Sequence, residues 1–322
     1  MITRVAHAAV LAALITAFPA NASAATLHSG SFVMGTILEV TVVTEDAVFG
    51  RQLATQAIET AKKWEDVLTT WRPNGELAGL NASAGAGPRH VSADLASALA
   101  VMIRLSEATD QAFDPGVGPL VEHYSHPGAT RPSHATAYNI REVLTLNGRT
   151  AELARGAAID AGGIGKGIAL DAIAKDLRAA GVKGAYLDFG RSSQLALGTM
   201  ENGRPWTVAL AGLHPGTIHG FIELDGALST SRARAIGDET GPIIDPRTGD
   251  AITSPRFVTC CAPTATEAEA WSKALIVRGE AAALERPSRG LLGALYEDSE
   301  TLRISPGFAR MVVSGLEPRA SM

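Results

Sequence analysis

Residues 160–171 read DAGGIGKGIALD: an acid, four glycines and a lysine running into the start of an amphipathic helix. Glycine costs roughly 0.5–1 kcal/mol relative to alanine inside a regular element, so Gly162, Gly163, Gly165 and Gly167 need a physical reason. One reason is a tight turn followed by close helix packing. The other is a backbone that must approach a ligand, with a phosphate at a helix N-terminus the expected one. A P-loop is excluded, because it needs Gly at 160 and Ser or Thr at 167, where the chain has Asp160 and Gly167. The G-x-G-x-x-G spacing with a downstream acid is absent too. What remains is an acid, a run of free N–H groups and an ammonium, a set that can bind a diphosphate together with a metal ion.

The elements around this stretch set the fold class. Before it, VLTLNGRTAEL carries Asn147-Gly148 between apolar residues, a hairpin signal. After it, Ile164, Ile168, Ile173 and Leu177 are expected to face inward, with Asp171, Lys175, Asp176 and Arg178 outward and Gly181 as the stop. Further upstream, SFVMGTILEVTVV (31–43) reads as a strand broken by Gly35. Helical spacing runs from Ala47 to Leu68 and again from Ser92, an N-cap, to Ala108. The Pro- and Gly-containing DQAFDPGVGPLVEH reads as an ordered loop, and 125–137 as a surface linker. Downstream come AYLDFGRSSQLALG, WTVALAGL, GFIELDGALSTS and RFVTCCA as strands, then a helix from Thr266 to Gly279. Helices between strands early and hairpins later predict an α+β domain of mixed sheets flanked by helices, not a doubly wound sheet.

The N-terminus has the pattern of a secretory signal peptide over 1–24. Arg4 is followed by an apolar stretch from Val5 to Phe18 and the small-residue Ala22-Ser23-Ala24. Residues 25–322 then form one domain, expected to be soluble because no later run is apolar enough to span a membrane. Loss of Arg4 with the leader takes the formal charge from −5 to −6. Scattered Lys and Arg and 5% aromatic residues argue against a nucleic-acid surface. Cys260 and Cys261 are adjacent, which suits a disulfide badly, and a strand points them to opposite faces.

Several other segments each have an ordinary structural explanation. Asp114 before Pro115 suits an Asx turn, and Asp245-Pro246-Arg247-Thr248-Gly249 is favourable turn chemistry. Glu269 and Lys273 stand at i, i+4, a surface ion-pair spacing. In chain order, however, MGT (34–36), TWRPNGELAGLN (70–81), AFDPGVGPLV (112–121), DAGGIGKGIALD, LSTS, IIDPRTG (243–249) and EAWSKAL resemble the FAD:protein FMN transferase family, the ApbE family, over essentially the whole chain after the leader.

That resemblance implies a periplasmic, Mg2+-dependent enzyme that splits FAD at its diphosphate, attaches FMN to a Thr of a partner flavoprotein and releases AMP. By motif, Met34, Trp71, Ala112, Phe113, Asp114, Asp160, Lys166 and Ile244 would contact FAD, with Trp71 able to stack on a flat ring. Gly163, through its carbonyl, and Glu269 would ligate the metal.

The departures are specific. Glu269 stands where the family carries a metal-binding Asp, and Lys273 where it carries a Thr ligand. Pro242 replaces a His, so the sequence identifies no general base, and Arg232 and Gly190-Arg191-Ser192 break glycine patterns. Two consequences stay open. Either the Lys273 ammonium supplies charge at the diphosphate and takes part in catalysis, or the chain binds FAD without transferring it. A ligand-free periplasmic assembly factor is the third class.

Overall fold

A computed structural model describes residues 25–125, 139–233, 243–279 and 290–316. The leader, most of the 125–137 linker and Pro242 fall outside these residues.

The first two strands show what Gly35 does. The alternating run is not one broken strand but a hairpin, β1 (Ala25–Val33) and β2 (Thr36–Thr44). Its two-residue turn has Met34 at φ +50° and Gly35 at φ +77°, the left-handed pair that matches strand twist. Helix α1 (Ala47–Leu68) follows, capped by Asp46, whose carboxylate accepts from the Val48 and Phe49 N–H groups. A short α2 (Glu76–Ala82) leads through β3 (Arg89–His90) to α3 (Ala93–Ala108), capped by Ser92 as expected.

The segment read as a loop winds instead into a 3-10 turn, Pro115–Val117, and α4 (Gly118–Ser125). Pro119 lies in the first turn of α4, where no intrahelical N–H is required. After α5 (Ile140–Val143), β4 (Leu144–Asn147) and β5 (Thr150–Leu153) form the Asn147-Gly148 hairpin. Then come α6 (Gly165–Ala179), β6 (Gly184–Phe189), β7 (Ser193–Gly198), β8 (Trp206–Ala211), β9 (Ile218–Leu224) and β10 (Gly226–Arg232). The chain finishes with β11 (Arg256–Ala262), α7 (Ala265–Arg278), β12 (Gly293–Asp298), β13 (Leu302–Ile304), α8 (Pro306–Ala309) and β14 (Val312–Gly315).

Eight strands form the main sheet in the order β1-β2-β6-β7-β10-β11-β12-β13, and every pairing is antiparallel. This is the expected α+β architecture. Period-two alternation assigns the two faces. Leu187, Phe189, Leu195 and Leu197 pack under α1, α6 and α7, while Ala196, Leu228 and Phe257 meet the small sheet β14-β9-β8 on the other side. The adjacent cysteines follow the same rule. Cys260 joins the helical core and Cys261 the inter-sheet core, and burial pushes both thiols up.

Two acids read from the sequence as exposed or free for a ligand tie the helices together. Asp171 does not face solvent: its carboxylate accepts from the Ala265 and Thr266 N–H groups and from the Thr266 hydroxyl, capping the start of α7. In return Glu269 of α7 accepts the Gly167 N–H in the first turn of α6 at 3.0 Å. The approach is close enough that a Cβ on Gly167 would lie 2.7 Å from the Ala265 carbonyl oxygen. Both partners there are backbone, so Gly167→Ala should lower stability by about 1–3 kcal/mol, read by urea denaturation. An unchanged midpoint would refute the close packing.

Candidate functional site

None of the four glycines of the opening stretch has a positive φ. Their reason is proximity. Gly167 admits α7, Gly165 admits the Met34 methyl, and Gly163 lies between the Lys273 stem and the Phe113 ring, each 3.2 Å from where its Cβ would be. Asn81 clamps the strand-like lead-in from both sides, donating to the Ile159 carbonyl and accepting its N–H at 2.9 Å. Asp160 then turns the chain by accepting the Gly162 N–H at 2.9 Å.

These contacts shape a cavity of about 420 Å³. Trp71, Ala112, Phe113, Asp114, Asp160, Gly163, Lys166, Ile244 and Lys273 all line it, so the structure gathers nine sequence-predicted residues from five separate segments. Met34 and Glu269 are not among the lining residues. The Met34 N–H donates to Glu65 at 3.0 Å and its side chain packs on Gly165. A larger hollow of about 1030 Å³ lies on the opposite face of the main sheet, against Tyr186, Gln194 and Trp206, and contains none of these residues.

The rest of the lining was not assigned from sequence. Ser193 comes from the start of β7, and Ser229, Thr230 and Ser231 from β10, with Val277 from α7. The Ser231 hydroxyl pairs with Ser272 at 2.8 Å, and Ser229 with Ser272 at 3.1 Å. Hydroxyls on successive strand residues, as in LSTS, were the signal available. Arg232 turns its guanidinium to the Gly212 carbonyl and over the Phe257 ring.

The charges divide clearly. Lys166 donates to the Ser192 hydroxyl. Lys273 donates to the Glu269 carbonyl at 3.4 Å. Burial lowers the Lys273 pKa, the nearby Glu269 opposes this, and the Lys166 ammonium lowers it further. The cavity therefore holds two like charges against each other, and an anion between them would relieve both. Among the described residues, Asp160 is the lining carboxylate that keeps an oxygen without a partner. Its Oδ1 takes the Gly162 N–H, and burial raises its pKa.

A divalent ion does not fit the residues present. Glu269 commits one oxygen to the Gly167 N–H and the other to the Ser193 hydroxyl, and an ammonium stands at 273 where a neutral ligand was needed. Among the described residues no group of three or more His, Cys, Asp or Glu could hold a metal. Glu269, expected to face a cation, instead directs its carboxylate to the Gly167 N–H and the Ser193 hydroxyl. It caps the positive end of α6 and lies behind the cavity wall. The helix N-terminus expected to face a phosphate is partly taken by this carboxylate.

Asp114 is likewise committed. Its Oδ1 accepts from the Gly116 and Ile140 N–H groups at 2.8 and 2.9 Å, its Oδ2 from the Ser106 hydroxyl at 2.5 Å. Burial outweighs these bonds and pushes its pKa from 3.8 up to about 6. An acid raised in this way costs stability as pH climbs through that window and nothing more above it. Asparagine can keep all three contacts without the charge. Asp114→Asn should therefore gain on the parent by roughly 2–3 kcal/mol between about pH 4 and 6.5, measured as the difference in unfolding free energy. A pH-independent difference would show that the carboxyl titrates normally.

Known proteins resemble this chain in sequence and in fold. A sequence model of the ApbE family matches residues 34–291. The FAD:protein FMN transferase of Klebsiella pneumoniae is 27% identical over 80% of each chain. That of Rhodobacter capsulatus is 31% identical over 77% of this chain and 51% of its own. Among solved structures, the flavin transferase ApbE from Vibrio cholerae superposes with a TM-score of 0.77 at 25% identity, covering 90% of this chain and all of that one. The ApbE protein of Thermotoga maritima shares the fold with a TM-score of 0.79 at 21% identity, at the same coverage. The chain belongs to the ApbE family.

Proposed function

We propose that the protein is an FAD:protein FMN transferase acting outside the cytoplasm, in the periplasm, on a threonine of a secreted or membrane-tethered flavoprotein. The observation that carries the reading is the convergence of the Gly162–Gly163 backbone, Lys166, Lys273 and the exposed Trp71 on one cavity. A dinucleotide needs this combination: donors and positive charge for the diphosphate, and a flat apolar surface for a ring. The family's activity on FAD adds the substrate.

In this reading the threonine hydroxyl attacks the phosphorus on the FMN side in line. The Oγ–P bond forms as the bond from that phosphorus to the bridging oxygen breaks. AMP leaves with that oxygen, and the hydroxyl proton passes to the free Oδ2 of Asp160. The pKa of Asp160 is raised by burial, which makes it a better base than an ordinary carboxylate near neutral pH. Lys166 and Lys273 stabilise the charge that builds on the leaving phosphate. Asp245, held by the Arg247 guanidinium at 2.8 and 2.9 Å, orders the turn that carries Ile244. Magnesium, which the resemblance brought with it, takes no part in this scheme, because both Glu269 oxygens are spent on the Gly167 and Ser193 contacts and an ammonium stands at 273.

A second reading is favoured by the same departures: Glu269 buried as a cap and Lys273 in place of a neutral ligand are compatible with flavin binding alone. Incubation of the purified protein with FAD and a threonine-containing acceptor domain separates the two. Transfer yields one AMP per flavin attached, seen by in-gel fluorescence and mass. FAD bound without either product leaves the binding reading, and no FAD bound leaves the assembly-factor class. Asp160→Asn should slow transfer by about 10²–10⁴-fold while FAD affinity changes little. The parent's rate should fall on the acid side as Asp160 takes up its proton. Equal losses of affinity and rate would instead make Asp160 a binding group.

A further inference from the structure

We infer that Lys166 and Lys273 form a built-in dication that holds a diphosphate without any divalent metal. The inference rests on the flavin reading above and adds to it the means by which the substrate's charge is neutralised. Four observations meet in it. The Lys273 stem packs along Gly163, where a Cβ would lie 3.2 Å from its Cδ, so the glycine is what lets the lysine reach the cavity. Among the described residues its ammonium makes one hydrogen bond, a long one of 3.4 Å to the Glu269 carbonyl, which leaves two of its three N–H donors to the cavity. Lys166 spends one on Ser192. The Glu269 carboxylate, on the same helix as Lys273, spends its two oxygens on the Gly167 and Ser193 contacts.

Two under-coordinated ammoniums in one enclosed wall repel each other when the cavity is empty. A diphosphate bridges them, with oxygens enough for both sets of N–H donors. A divalent ion brought into the same place would meet positive charge from both sides. The ammonium at 273 and the capping role of Glu269 thus go together: a side-chain cation stands where the resemblance implies a bound one.

The test uses the full chain freed of metal with excess chelator, titrated calorimetrically with inorganic pyrophosphate and with FAD, then with magnesium restored. Both ligands should bind in chelator with affinities within a few-fold of those in magnesium. Lys273→Met keeps the stem against Gly163 and removes the charge. It should weaken pyrophosphate binding in chelator by roughly ten- to a hundredfold while the melting temperature of the ligand-free protein holds or rises. Binding that appears only with magnesium overturns the inference, as does a Lys273→Met variant that binds as tightly as the parent. FAD bound only with magnesium would remove the dication and leave the flavin reading standing. Pyrophosphate bound in chelator with FAD refused under both conditions would do the reverse.

Discussion

The carboxylate of Glu269 holds the first turn of α6 against the middle of α7, and the rest of the site depends on that junction. Its Oε2 takes the Gly167 N–H, one of the donors a helix leaves unpaired at its start, and its charge faces the positive end of the α6 dipole. Asp171 makes the reciprocal bond from α6 to the start of α7. Two helices cross-capped in this way, with no Cβ between them at Gly167, are fixed in register. That register brings Lys166 from the start of α6 and Lys273 from one turn beyond Glu269 to the same cavity. Moving either helix by a turn would separate the ammoniums.

The junction also decides where the chemistry sits. The acid that the resemblance assigns to a metal spends both oxygens on the Gly167 N–H and the Ser193 hydroxyl, and so serves the architecture. The site that results is rich in donors: ammoniums, strand hydroxyls and the Gly162–Gly163 backbone. Asp160 is the exception, a partly buried carboxylate with one oxygen uncommitted, and its isolation makes it useful as a proton acceptor. Trp71, 77% exposed at the cavity's edge, offers a face to a ring that extends beyond the phosphate pocket.

The sequence disclosed those features that local physics controls. Helix α1 begins and ends where its apolar spacing does, α3 starts on its Ser92 cap, and Asn147-Gly148 makes its hairpin. Alternation placed Cys260 and Cys261 on opposite faces. What stayed hidden depends on partners distant in the chain. Glu269 finds Gly167 across 102 residues, and Asp171 finds Ala265 across 94, so both looked like surface or ligand carboxylates. The α4 helix was missed because Pro and Gly read as loop formers, though Pro is tolerated in a first turn. In the site, the segments with unusual composition were legible, whereas Ser193, Ser229 and Ser231 look like ordinary strand residues until the fold turns them toward one space.

The most direct measurement is 31P NMR of FAD bound to the metal-stripped protein, followed as Mn2+ is added. Paramagnetic Mn2+ broadens the signals of any phosphate it coordinates. If the two ammoniums alone hold the diphosphate, both phosphorus resonances of the bound FAD keep their widths at Mn2+ equimolar with protein. Broadening of both resonances beyond detection at substoichiometric Mn2+ would show a metal seated at the diphosphate and contradict the account.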